Sequence, residues 1–165
     1  MEPKFTHTSS TGKAKMVDVS RKRSSKRRAT AFCLVRTTAT PEALTPTEGG
    51  VEPMLAARLA GIMAAKRTSD LIPLCHPLQL GSIDVELEWV HEGVEISVTI
   101  AAVDRTGVEM EALTACATAA LSVIGSLMNV DPSAQINDLV LLSKSGGKSG
   151  PWGRLVDTPS AQLGK

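Results

Sequence analysis

The sequence predicts an α+β domain of the ferredoxin-like, split βαβ type: an antiparallel sheet with both helices on one face. Three observations carry this. Residues 83–89 and 94–100 alternate apolar and polar side chains around a turn at His91-Glu92-Gly93, the period-two signature of a hairpin with one buried face. Residues 53–66 and 106–129 carry apolar side chains at helical spacing. A short apolar run precedes the first helix and another follows the second. The order strand, helix, hairpin, helix, strand is that of the split βαβ arrangement.

Taken in order, residues 1–15 read as a polar, flexible arm. Ala31-Phe32-Cys33-Leu34-Val35 is the first strand. Residues 37–50 hold two prolines and Gly49-Gly50, which makes them a loop or a weak helix. Pro53 suits a first helical turn, and Leu55, Leu59, Ile62, Met63 and Lys66 recur along one side of the helix that follows. Pro73 and Pro77 forbid a regular helix or central strand over residues 71–78, so a rigid extended segment is expected there. After the hairpin, Thr106-Gly107-Val108-Glu109 reads as a capping box opening a long Ala-rich helix. Leu139-Val140-Leu141-Leu142 is the last strand, followed by a glycine-rich loop at residues 144–150 and a polar tail at 151–165.

Composition sets limits on function. A chain of 165 residues accommodates one domain with a real core. Apolar residues make up 42% of it but aromatics only 2%, with no tyrosine, so the core must be built from small aliphatic side chains. Such cores bury little area per residue, and a homo-oligomer is expected to supplement them. The net charge of +1 calls for neither nucleic acid nor membrane. Nine of the 18 basic residues precede Ala29, forming either a polyanion-binding arm or a solvated tail. Cys33, Cys75 and Cys116 are odd in number and lack CxxC spacing, which speaks against a disulfide framework or zinc knuckle and for a reducing, cytoplasmic setting. No apolar run approaches the roughly 20 residues that span a bilayer, and the N-terminus lacks an apolar signal core.

Several side chains are of the types that move protons or hold anions. His76, on a stretch stiffened by two prolines, suits proton transfer or a structural role equally. Glu109 and Glu111 lie two apart in a first helical turn and so do not share a face by spacing alone. Glu109 would complete the capping box, and Glu111 would complement the helix dipole. Lys66 and Arg67 end the first helix, where cations complement the dipole and can also hold a phosphate. Residues 144–150, with Lys144 and Lys148, offer exposed backbone N–H groups to an anion. Their spacing is not that of a Walker A loop.

Four stretches resemble the cyclic pyranopterin monophosphate synthase family, MoaC: Met16-Val17-Asp18-Val19-Ser20, AGIMAAKRTSDLIPLCHPL at residues 60–78, TGVEMEALTA at 106–115 and KSGGKSG at 144–150. They occur in the family's order and spacing, and the similarity covers most of residues 6–150. The resemblance implies a ferredoxin-like fold and a hexamer built from dimers, with active sites at subunit interfaces. It also implies conversion of a cyclised dihydroguanosine triphosphate into cyclic pyranopterin monophosphate, with loss of pyrophosphate. The substrate is a nucleotide-derived small molecule, and no resident metal or other cofactor is implied; Mg²⁺ accompanying the triphosphate is left open. By position, Leu74, Cys75 and His76 match one substrate-binding stretch and Met110 with Glu111 another. Glu109, Lys66 and Arg67 match pocket positions, Arg27 a family arginine, and Lys144 and Lys148 the C-terminal loop.

The resemblance also has gaps. The family's aspartate and lysine late in the long helix fall, by ungapped counting, at Gly125 and Met128, and a further lysine falls at Gly50. None of these three can transfer a proton or hold a phosphate. Two readings follow. In one, a synthase relies on His76, Glu109, Glu111, Lys66 and basic groups from another subunit. In the other, a divergent paralogue binds a different nucleotide-like or pterin-like ligand, or serves as a non-catalytic binding subunit.

Overall fold

The computed structural model describes His7 and residues 11–46 and 50–155. The rest of the expected N-terminal arm, residues 1–6 and 8–10, and residues 156–165 of the expected tail lie outside the described residues. Five strands form one antiparallel sheet in the order β2-β3-β1-β4-β5. They are β1 (Ser25–Arg36), β2 (Leu80–Val90), β3 (Gly93–Asp104), β4 (Gln135–Ser145) and β5 (Trp152–Gly153). Helices α1 (Pro53–Lys66) and α3 (Glu109–Leu127) fill the two crossovers, and a single turn, α2 (Thr68–Leu71), follows α1. Without its short fifth strand this is the ferredoxin-like sheet that the element order predicts.

The buried face of the sheet is a lattice of small aliphatic residues. Ala29, Ala31, Cys33 and Val35 of β1 stand opposite Ile100, Val98, Ile96 and Val94 of β3, all wholly buried. Their neighbours along each strand remain partly exposed, apart from Leu34 and Gly93, which are buried as well. Ala112, Ala115, Cys116, Ala119, Ala120, Val123 and Leu127 of α3 close over this face. With alanines in the contact layer, helix and sheet approach closely. The thiols of Cys33 and Cys116 come within 3.3 Å of each other there, both free. By length and apolar composition α3 passes as a membrane-crossing helix, with mean hydropathy 1.5. Its buried side instead forms the centre of the core.

Several local expectations are corrected. Strand β1 begins well before the apolar run and takes in Lys26, Arg27 and Arg28, because β3 pairs with it over that length and β4 joins at Arg28. Pairing thus overrides the weak strand preference of basic residues. The described part of residues 37–50 holds a 3-10 turn, Pro41–Leu44, in keeping with the loop or weak helix expected there. Residues 71–78 are not extended throughout. Leu71 closes α2, a turn follows, and only from Cys75 does the chain run straight. Thr68 drives this by donating to the Ala64 and Ala65 carbonyls at 3.2 and 3.1 Å, which stops α1 and starts a new turn.

Thr106 does not cap α3. The helix starts at Glu109 with Val108 in the cap position and no side-chain cap bond. The box would need a helix two residues longer. Glu109 points elsewhere, to Lys144. Strand β5, absent from the sequence expectation, pairs Trp152 and Gly153 with Lys144 and Ser143.

Candidate active site

A cavity of about 450 Å³ opens where the turn after α2, the start of α3 and the end of β4 converge. Leu74 sets the path of its first wall. Its φ of 66° is left-handed, an arrangement that an L side chain adopts only when its surroundings impose it. The reversal after Pro73 lets Leu74, Cys75 and His76 all line the cavity. Glu109, Met110 and Glu111, from the first turn of α3, form the second wall, and Lys144 and Leu141 of β4 the third.

The electrostatics divide the two glutamates. Glu111 is only 4% exposed. Burial pushes its carboxyl up to about 7, and the nearby charges of Glu109 and Asp104 act in the same direction against the hydrogen bond of its own amide. Its proton is therefore exchangeable at neutral pH, which is the condition for general acid–base work. Glu109 is half-buried and ion-paired with Lys144 Nζ at 3.1 Å. Its carboxylate folds back over Gly107, where any Cβ would collide with it. Cys75 has its thiol pushed up, first by burial and then by Glu111, so it is a neutral lining group rather than a thiolate. Asp18 is held low, chiefly by the Ser20 amide 2.8 Å away, and His76 is among the charges that act on it.

Of the residues predicted from sequence, Leu74, Cys75, His76, Glu109, Met110, Glu111 and Lys144 come together here. Lys66 lies one cavity away, lining a smaller chamber that shares His76 and Glu111 with the main one. Arg67, an exposed residue, and Lys148 line neither. Arg27 turns aside and donates to the Asp104 and Arg105 carbonyls at 3.3 and 3.2 Å, against the Gly147 backbone. It borders a separate open cavity of about 410 Å³ with Lys26 and Arg28. Gly50, Gly125 and Met128 are exposed and stand outside all of these cavities.

His7, Val17, Lys22, Thr106 and Gly107 also line the main cavity, and sequence reasoning did not place them there. For Lys22 no local signal exists, since it is one of many N-terminal cations. Thr106 and Gly107 were hidden by the capping reading. Chemically, the cavity offers an acid–base carboxyl, an imidazole and a lysine beside an apolar wall, a combination suited to a polar, partly aromatic anion.

The chain is similar to known proteins of one family. The sequence model of the MoaC family matches residues 16–147. Cyclic pyranopterin monophosphate synthase 2 of Mycobacterium tuberculosis is 48% identical over 153 residues, 91% of each chain. The cyclic pyranopterin monophosphate synthase of Streptomyces griseus is 48% identical over 155 residues, 92% of this chain and 86% of that one. The synthase of Corynebacterium efficiens is 45% identical over 150 residues, 90% and 97% respectively.

Proposed function

The chain belongs to the MoaC family, and from that premise we propose that it is a cyclic pyranopterin monophosphate synthase of molybdenum cofactor biosynthesis. It converts a cyclised dihydroguanosine triphosphate into cyclic pyranopterin monophosphate and releases pyrophosphate. The observation that carries this reading is Glu111, a buried carboxyl able to take up and release a proton near pH 7, facing the same cavity as His76. Ring opening and reclosure demand such groups beside the purine-derived part. Leu74, Cys75 and Met110 supply the surface against which that part rests. Lys144, held by Glu109, supplies a cation inside the cavity for the substrate's negative charge.

Lys66, Arg67, Arg27 and Lys148 serve the triphosphate from outside the main cavity, or from a neighbouring subunit of a homo-oligomer, a hexamer built from dimers. Mg²⁺, where present, arrives with the triphosphate as part of the substrate. The enzyme works in the cytoplasm. Incubating the pure protein with the cyclised nucleotide, and following pyrophosphate and pterin, tests the reading. Turnover is expected without further protein components. Silence from the wild type, with activity restored by Gly50→Lys, Gly125→Asp and Met128→Lys together, would instead identify a chain that binds the ligand without completing the reaction.

A further inference from the structure

Behind the main cavity is the smaller chamber of about 50 Å³, lined by Lys66 and Ser69 from the α1–α2 junction and closed by Pro77. His76, Leu78 and Glu111 border both spaces and so form the partition between them. A buried water needs about 10–15 Å³ and two to four polar partners, so the chamber holds roughly three. Lys66, Ser69, His76 and Glu111 provide those partners. The Thr68 hydroxyl is already committed to the Ala64 and Ala65 carbonyls.

Glu111 is only 4% exposed and borders both spaces. A ligand seated against His76 and Glu111 closes the larger one. Any proton that Glu111 takes from the ligand, or gives to it, must then be balanced from the other side. We propose that the small chamber is a water-filled proton path, joining Glu111 to solvent past Ser69 and the exposed end of α1 at Lys66 while ligand fills the main cavity. The inference rests on the synthase reading above. Ser69 is a positioning residue in it, since it acts on the ligand only through water and Glu111. The groups facing Glu111 are Glu109 on its own helix, Asp104 at the end of β3, and Cys75 and His76 from the turn after α2. Lys66 from α1 faces it across the chamber, and Lys144 of β4 is engaged by Glu109.

Ser69→Val and Ala65→Val each add methyl groups to the chamber lining at a different position, so a folding defect in one does not remove the test. In either variant kcat for the cyclised nucleotide should fall about tenfold with KM unchanged. The solvent deuterium isotope effect should rise, and added imidazole, small enough to deliver protons directly, should restore part of the lost rate. Ser69→Thr, which keeps the hydroxyl, should recover most of it. Unchanged kcat and isotope effect in both plugged variants would overturn the path while leaving the synthase reading intact. No turnover by the wild type would overturn that reading, and the path with it.

Discussion

At the scale of single residues, Glu111 has the sharpest consequences. Its carboxyl would ionise near 4.5 in an unfolded chain but holds its proton to about 7 in the fold. Between those values the folded state binds more protons, so this group's contribution to stability is fully present below 4.5. It is lost as pH rises through 7. Glu111→Gln, neutral at every pH, should therefore melt with the wild type near pH 4 and above it near pH 8, by something on the order of 2 kcal/mol. Thermal melts at the two pH values check this, and equal shifts at both would show that burial is not what raises the carboxyl. The same variant should lose roughly 10²–10⁴ in kcat if Glu111 transfers a proton in the reaction. Gly107 is the second informative position. A methyl there collides with the Glu109 carboxylate, so Gly107→Ala should break the Glu109–Lys144 pair and lower kcat/KM by about tenfold, with little change in melting, since a half-exposed pair contributes at most about 1 kcal/mol. Lys144→Met should reproduce the kinetic effect, and an unaltered kcat/KM in both would remove that pair from the site.

At the scale of elements, the crossing of α1 over α3 fixes where the first turn of α3 lies. Gly61 makes that crossing close: a Cβ there would stand 3.1 Å from the Ala115 carbonyl oxygen and 3.3 Å from Ala119 Cβ. Gly61→Val should cost about 1–3 kcal/mol through overpacking, read by urea titration. The far end of α3 is tied down differently. Asp131, buried, accepts from the Thr37 hydroxyl at 2.6 Å, the Thr38 amide at 2.8 Å and the Ser133 amide at 3.0 Å. The Ser133 hydroxyl donates to it as well, and these bonds, the Ser133 and Thr37 hydroxyls foremost, hold its carboxyl well below the usual range. Its stabilisation is thus present above the ordinary carboxylate pKa and is lost on acidification. Asp131→Asn should lower the melting point at neutral pH and close the gap to the wild type in acid. The hairpin and both long helices were legible in sequence because each keeps its own period over many residues. The early start of β1 was not, because Lys26, Arg27 and Arg28 become strand only through partners on β3, with β4 added at Arg28. The role of Glu109 was hidden for a like reason. Its local context, four residues from Thr106 through Glu109, matches a cap, while the lysine that claims it sits on strand β4. The 71–78 segment was half legible: its prolines announced stiffness, but the left-handed Leu74 that turns His76 into the cavity follows from packing, not from any residue preference.

At the scale of the whole molecule, the helix layer leaves apolar surface uncovered. Leu55, Leu59 and Met63, spaced four apart along α1, are 47%, 51% and 47% exposed, and Leu121 and Met128 on α3 are 59% and 55% exposed. A core so rich in alanine, with the wholly buried side chains no larger than Ile and Leu, gains relatively little from burial per residue. Covering this face in an assembly would add to it. The expectation is a homo-oligomer whose melting temperature rises with protein concentration, as mass action requires when only the associated state is fully buried. Placing charges in the α1 stripe, with Leu59→Glu and Met63→Glu together, should reduce the mass measured by light scattering while circular dichroism retains the mixed α and β signal. Both positions lie outside the main cavity and its adjoining chamber, so the activity of the smaller species separates two arrangements. Loss of turnover on dissociation would mean that the cations needed for the triphosphate come from a neighbouring subunit. Full turnover by the dissociated form would mean that His76, Glu111, Lys144 and the basic residues of one chain suffice.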